Sequence, residues 1–162
     1  MGTGAGAHSF GNTKGARIAS GDAIYKSQNL DYFDYIKHRK DIDPDGKFDV
    51  VAHGERLAII YNHCGTDIRI DSRIAARLIK QNPQYKKGQT IRLLSCSTGS
   101  ISNGFAQRLA NKLGVKVEAP VDALWASKNG EHFIAPRSKV NRNRPGPIIK
   151  NGFKTFYPGG KK

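Results

Sequence analysis

The 162-residue chain has little of what marks several protein classes. It holds only two cysteines, Cys64 and Cys96, too few for a disulfide framework, and no C-x-x-C or Cys/His spacing fits a zinc site. Spacing alone leaves open whether the two are bridged. His63-Cys64 is a faint metal motif, and no Asp/Glu/His cluster of the metal-nuclease kind is present, so no metal and no cofactor is expected. No apolar run approaches the roughly 18 residues needed to span a bilayer. The opening "MGTGAGAHSFGNTKG" lacks the apolar stretch of a signal peptide, so export is expected to depend on something else. Acidic residues are also scarce, 13 Asp and Glu against 27 Lys and Arg, for a formal charge of +14.

That charge is uneven. Residues 1–50 balance seven bases with seven acids, whereas residues 128–162 carry nine bases and a single acid, Glu131. A one-sided positive field attracts polyanions, anionic membranes or acidic proteins, and the same residues also serve as an ordinary solubilising tail.

The length suits one domain with one core. Residues 1–21 contain six glycines, costly to order, and read as a flexible arm or linker; residues 22–162 read as a single α/β domain. "DYFDYIKHRKDIDPDG" suggests a helical turn or two before a turn signal. "KFDVVAHG" and "RLAIIYN" are apolar runs close enough to pair as a hairpin, and "TDIRIDS" alternates briefly. Asp71 or Ser72 can cap a helix through "RIAARLIKQ" with Ile74, Ala75, Leu78 and Ile79 on one face, ended by Asn82-Pro83. "QTIRLLS" is the next strand. A helix is predicted from about Ser102 to Leu113, with Phe105, Ala106, Leu109, Ala110 and Leu113 at helical spacing and Gly114 as C-cap. "VKVEAP" is a strand, "DALWASKNGEHFIAP" a hairpin around Asn129-Gly130, "SKVNRNRPGP" a basic loop and "GFKTFYP" a last strand. Strands alternating with helices imply βαβ units, hence a mostly parallel sheet flanked by helices with a β-hairpin toward the C-terminus.

In such sheets, sites form beyond the carboxyl ends of the strands. "VVAHG" and "RLLSCSTG" both place a reactive residue there. A thiol attacks as thiolate, and a nearby imidazole or helix N-terminus promotes that form. If the strands ending at His53 and Cys96 are neighbours, both side chains meet at one sheet edge. Gly54 would admit a substrate backbone and offer an N–H to an oxyanion, and Gly99 would keep the exit from the Cys96 turn open. The competing reading of Cys96 is a small packed residue at a strand end. Trp125 reads as packed rather than substrate-stacking.

"FDVVAHG" followed by "IRLLSCSTG" resembles the two catalytic motifs of caspase-like (clan CD) cysteine peptidases, whose apolar strands end in His-Gly and in the nucleophilic Cys. "LLSCSTGSISNGFAQRLANKLGVKVEAPVDALWAS" is similar to a segment at the C-termini of Rhs-type and contact-dependent polymorphic toxins. The resemblance spans about residues 48–135. It implies a caspase-like fold, Cys96 as nucleophile, His53 as general acid/base, and the backbone N–H groups of Gly54 and Cys96 as oxyanion hole. The clan's substrate-pocket residues have no clear counterpart. Asp122 and Glu55 are the candidates for reading a basic substrate side chain, each equally readable as a solvated surface acid.

The expected function is therefore a toxin domain acting as a cysteine endopeptidase on a target-cell protein. It would be secreted within a larger toxin, delivered into the target cytoplasm and neutralised by an acidic immunity protein. One alternative is a toxin acting on nucleic acid through the basic surface, with His132 or His53 as acid/base. Another is a self-processing module of a larger chain.

Overall fold

The computed structural model describes residues 7–9, 47–63, 66–82, 85–126, 131–142 and 144–160. The sheet is built by short runs in which both faces are buried. In Lys47–Val51 (β2) and Thr90–Leu94 (β5) the last four residues of each strand are all buried, the pattern of strands with a layer on either side. The five-stranded order is β1-β2-β5-β6-β9, where β1 is Ala7–Ser9, β6 Val117–Pro120 and β9 Phe153–Phe156. The pairings β1–β2, β2–β5 and β5–β6 are parallel, and β6–β9 is antiparallel. The protein is thus mixed α/β with a mostly parallel sheet. Ala7–Ser9 supplies an edge strand from within the glycine-rich arm; the rest of that arm, and the expected helical turns before residue 47, lie outside the described residues.

Among the described residues two helices form crossovers, between β2 and β5 and between β5 and β6. Helix α1 (Ser72–Gln81) is capped by Asp71, whose Oδ1 accepts the Ile74 N–H at 3.0 Å, and its inward face is Ser72, Ala75, Ala76 and Ile79. That face is rotated slightly from the expected one, leaving Ile74 and Leu78 half-buried at its margin. Helix α2 (Phe105–Leu113) buries Phe105, Ala106, Leu109 and Ala110 and ends at Gly114 in the left-handed conformation, φ 68°, which glycine adopts without steric cost. Both crossovers step the same way across the sheet, β2 to β5 to β6. Right-handed connections in one direction put both helices on one face, and α1 and α2 share a core there with Phe48, Val50, Ile91, Leu93, Val117 and Ala119. Among the described residues the helices that flank the sheet cover one face.

Strand alternation sends Val51 and Leu94 to the other face. There they pack with Cys96 and with Leu124–Ala126 (β7) and His132–Ile134 (β8), which pair antiparallel; residues 127–130, which join them, lie outside the described residues. Asp49 and Arg92 also share this face, directly opposite each other in the β2–β5 register. The guanidinium donates to both carboxylate oxygens, Nε to Oδ1 at 2.8 Å and Nη2 to Oδ2 at 2.9 Å. Nearby, Lys47 reaches Glu118 at 2.9 Å.

The expected hairpin between "FDVVA" and "RLAIIYN" does not form. Ile59–His63 (β3) pairs instead with Thr66–Ile70 (β4). After β2 the chain makes a tight turn, with Glu55 N–H donating to Ala58 O at 2.9 Å and Ile60 N–H to His53 O at 2.8 Å, so only one bridge, Gly54 to Ile59, is made before β3 diverges. The other side of β2 is already occupied by β5, and β1 takes its remaining edge.

Candidate functional site

The parallel register of β2 and β5 sets the site. Val51 lies beside Leu94, and Ala52 N–H still donates to Leu94 O at 3.3 Å. Cys96 packs with Val51 and Leu94, and His53 and Cys96 each follow their strand end by two residues. They line one cavity of about 530 Å³ together with Gly54, Ser97, Asp122, Ala123, Pro136, Arg137, Lys139 and Arg142. This volume lies within the roughly 300–1,000 Å³ usual for ligand sites. His53 is exposed, while Cys96 is 8% exposed and caps the apolar cluster beneath it.

The turn carrying Cys96 is over-determined. The Ser95 and Thr98 hydroxyls, both fully buried, stand 3.1 Å apart, and Thr98 Oγ1 also donates to Ser95 O at 3.3 Å. Ser97 is held at φ 60°, a left-handed conformation that costs a serine of order 1 kcal/mol or more and persists only where the surroundings impose it. Its N–H donates to Asp122 O at 3.0 Å, and Gly99 N–H to Pro120 O at 2.8 Å. The strand-end segment after β6 thus clamps the one after β5. The sulfur itself accepts the Leu124 N–H at 3.3 Å. Among the described residues Cys96 forms no disulfide; Cys64 lies outside them.

Gly54 and Gly99 both stand where a side chain would not fit. A Cβ at Gly54 would stand 2.8 Å from Ser95 Cβ, 2.9 Å from Cys96 O and 2.9 Å from Thr98 Cγ2; one at Gly99 would stand 2.7 Å from Ala119 O. The protein's own backbone and side-chain atoms fill these spaces, so Gly54 locks the His53 turn onto the Cys96 turn while still lining the cavity. The two bonds of the Gly54–Ile59 bridge are made by His53 O and Glu55 N–H, so the Gly54 N–H takes no part in it.

The helix that was expected to begin a few residues after Cys96 begins at Phe105. Its first amides are taken: Phe105 N–H donates to Arg56 O at 2.8 Å and Ala106 N–H to Thr98 O at 3.1 Å. The helix N-terminus therefore anchors the two strand-end loops and spends its donors on their carbonyls instead of on the sulfur.

Of the two acids proposed to read substrate, the structure brings Asp122 into the cavity lining and Glu55 elsewhere. Asp122 Oδ1 accepts its neighbour's N–H, that of Ala123, at 2.8 Å. Glu55 accepts from Arg69 Nη2 on β4 at 2.7 Å, and that hydrogen bond holds its carboxyl below the ordinary carboxylate range. His132, a candidate for the nucleic-acid alternative, sits on β8 with its ring edge-on to Phe153 at 5.9 Å and is not part of the cavity lining. Trp125 is fully buried and donates through Nε1 to Ala135 O at 2.8 Å.

The cationic wall escaped sequence reasoning beyond the general note of a basic loop. Residues 136–142 and 144–146 fold back on themselves: Gly146 N–H donates to Pro136 O at 2.7 Å and Ser138 N–H to Arg144 O at 2.8 Å. Arg137 Nη1 donates to Arg142 O at 3.0 Å, and the Arg137 guanidinium carbon stands 5.7 Å from the Trp125 ring centroid. The available signal was the spacing Arg137, Lys139, Arg142 directly after the β8 strand.

Fold and site together define a mixed α/β protein whose mostly parallel sheet opens, at its carboxyl edge, onto a basic cavity holding one cysteine and one histidine. The chain belongs to the family described as Domain of unknown function (DUF8616), whose model matches residues 23–134. No curated protein and no solved structure matches it significantly. Among the described residues no helix is long and apolar enough to cross a membrane, and no group of three or more His, Cys, Asp and Glu stands placed to hold a metal ion.

Proposed function

We propose that the protein is a caspase-like cysteine endopeptidase, the toxic domain of a larger secreted toxin, which cuts a protein of the target cell and is held in check by an acidic immunity protein. The observation that carries this reading is the shared cavity: adjacent parallel strands deliver His53 and Cys96 to one lining. In this reading His53 takes the Cys96 thiol proton, the Sγ thiolate attacks the scissile carbonyl carbon, and the C–O π pair moves onto oxygen, where the Gly54 N–H receives it. Collapse of that intermediate breaks the C–N bond, and His53 gives its proton to the leaving amine. Water then attacks the thioester with His53 taking its proton, releasing the carboxylic acid and restoring Cys96.

The test is labelling of the intact protein with a small uncharged thiol reagent near neutral pH, mapped by mass spectrometry, alongside toxicity of Cys96→Ala and His53→Ala. Modification of Cys96 that depends on His53, with loss of toxicity in both variants, is the expected result. Cys96→Ala cells that die as fast as wild type would end the peptidase reading.

A second reading is favoured by one observation, the three cations in the cavity lining: a toxin acting on nucleic acid. It requires affinity for DNA or RNA that falls steeply with salt, and cleaved nucleic acid in poisoned cells.

A further inference from the structure

We infer that the outer face of the two-helix layer binds the phosphate backbone of a double-stranded nucleic acid. The inference goes beyond the peptidase reading and does not rest on it. Residues 72–117 contain nine Lys and Arg and no Asp or Glu. One of the nine, Arg92, is buried against Asp49. The other eight are exposed.

Helical periodicity gathers five of them. Arg73, Arg77 and Lys80 stand at i, i+4 and i+7 on α1, so they form one stripe along it. Arg108 and Lys112 form a second stripe on α2. The helices pack against each other through a shared core, and Lys112 is close enough to act on the Asp71 carboxyl at the head of α1, so the stripes adjoin. Asp71 is the acid at the margin, 3.9 Å from Arg73. Three more cations continue the field at the amino edge of the sheet. Lys86 and Lys87 lie in the turn before β5, and the Lys116 carbonyl accepts the Ile91 N–H at 3.0 Å, beside that strand's start.

This arrangement opposes the fold's own stability. Arg73 with Arg77, and Arg108 with Lys112, are like-charge pairs one turn apart, which destabilise a helix. A face that is charged only for solubility intersperses both signs. Charges of one sign within a Debye length of one another reinforce their field.

The chemistry of the face selects the partner. Among the described residues the exposed large apolar side chains are Ile68, Ile101, Val140 and Ile148, and neither helix carries one. The face thus lacks the apolar anchors of a protein interface or a membrane surface. A single strand needs aromatic rings on which to stack its bases, but α1 has none and Phe105 of α2 is fully buried. A duplex needs only cations for its phosphates. Cys96 packs on the opposite face of the sheet, so a duplex held here leaves the cavity open.

The test uses the full chain and fluorescent duplexes of DNA and of RNA, with binding read by anisotropy between about 50 and 200 mM salt. Affinity is expected to fall linearly on logarithmic axes. Arg77→Gln with Lys112→Gln, one change on each helix, should make that slope shallower by about two and weaken low-salt binding about tenfold or more. Gln is close to Arg and Lys in helix propensity, so the variant keeps its fold. Arg144→Gln with Lys150→Gln removes the same charge outside the helical layer and should preserve the slope. In wild type, either duplex should protect Lys80 and Lys112 from acetylation and leave Lys139 and Lys150 reactive. The tighter of the two duplexes identifies the source as DNA or RNA.

Equal losses in the two double variants would overturn the site in favour of overall charge. Protection of Lys139 in place of Lys80 and Lys112 would overturn it in favour of the cavity. A single strand bound more tightly than either duplex, or a polyglutamate of matched charge that displaces the duplex, would overturn the duplex as partner. Absence of salt-dependent binding to both duplexes would end the proposal and leave the peptidase reading untouched.

Discussion

The two faces of the sheet obey different rules. The helix-covered face is apolar throughout, from Phe48 and Val50 through Ile91 and Leu93 to Leu109 and Ala110. The opposite face divides along the strands: the charged groups Lys47, Asp49, Arg92 and Glu118 lie on its amino-terminal half, an apolar patch under β7 and β8 lies on the carboxyl half, and the cavity opens beyond it. The first face stabilises by burying carbon. The second gives up part of that stabilisation to hold charges and a thiol where side chains can act.

The difference can be broken at measurable points. The largest effect is expected from Asp49→Ala, which leaves the buried Arg92 guanidinium without its bidentate carboxylate and should cost about 3–5 kcal/mol in denaturant unfolding. Replacing both partners together, Asp49→Leu with Arg92→Met, should recover most of that loss. If the single and double variants are equally unstable, the pair is not the source of the cost.

Leu109→Ala probes the other face. It removes a fully buried side chain from α2 and should destabilise by about 2–5 kcal/mol, with Cys96 reactivity near native in the folded fraction. A selective loss of reactivity without loss of stability would show that the two faces are coupled.

Gly54→Ala sharpens the comparison, because it presses a methyl group into Ser95, Cys96 and Thr98. A cost of about 1–3 kcal/mol is expected from overpacking, together with a fall in Cys96 labelling far larger than the fall in stability explains. Unchanged labelling would mean the two turns need not interlock.

The smallest effect belongs to the cap of α1. Asp71→Ala should cost about 1 kcal/mol at neutral pH. The Ile74 N–H lowers the Asp71 carboxyl below its ordinary 3.8. Its folded value thus lies below its unfolded one, so the contribution is present above the ordinary value and disappears as pH falls through the lowered one. Wild type and variant, compared by urea unfolding at neutral and strongly acid pH, should converge in acid.

Much of this was legible in the residues, for identifiable reasons. The helix through residues 72–81 carries its own cap and its own period, and the one ending at Leu113 carries Gly114, so local chemistry located them. The strands ending at His53 and Cys96 declared themselves as apolar runs broken by polar turns. What failed was partner choice. "RLAIIYN" sits beside "KFDVVAHG" in sequence, yet β2 had both its edges taken by β1 and β5, and pairing depends on which edges are free. The start of α2 was expected at about Ser102, whereas it lies at Phe105, where the first amides are satisfied by Arg56 and Thr98 carbonyls from distant loops. The cationic wall was read only as a basic stretch, since nothing local says that a loop folds back over another strand's end. The family match ends at residue 134, just before that loop.

The sequence by itself determined the class of elements, their order, the burial pattern of the central strands and the two residues worth watching, because periodicity, caps and turn residues act over a few neighbours. Only the tertiary structure decided that the two helices among the described residues share one face, that Gly54 is needed by Ser95 and Cys96, and that Arg137, Lys139 and Arg142 stand around the cysteine's cavity. Those outcomes depend on register between strands about forty residues apart and on which surfaces remain after the crossovers are made, and no short window of residues contains that information.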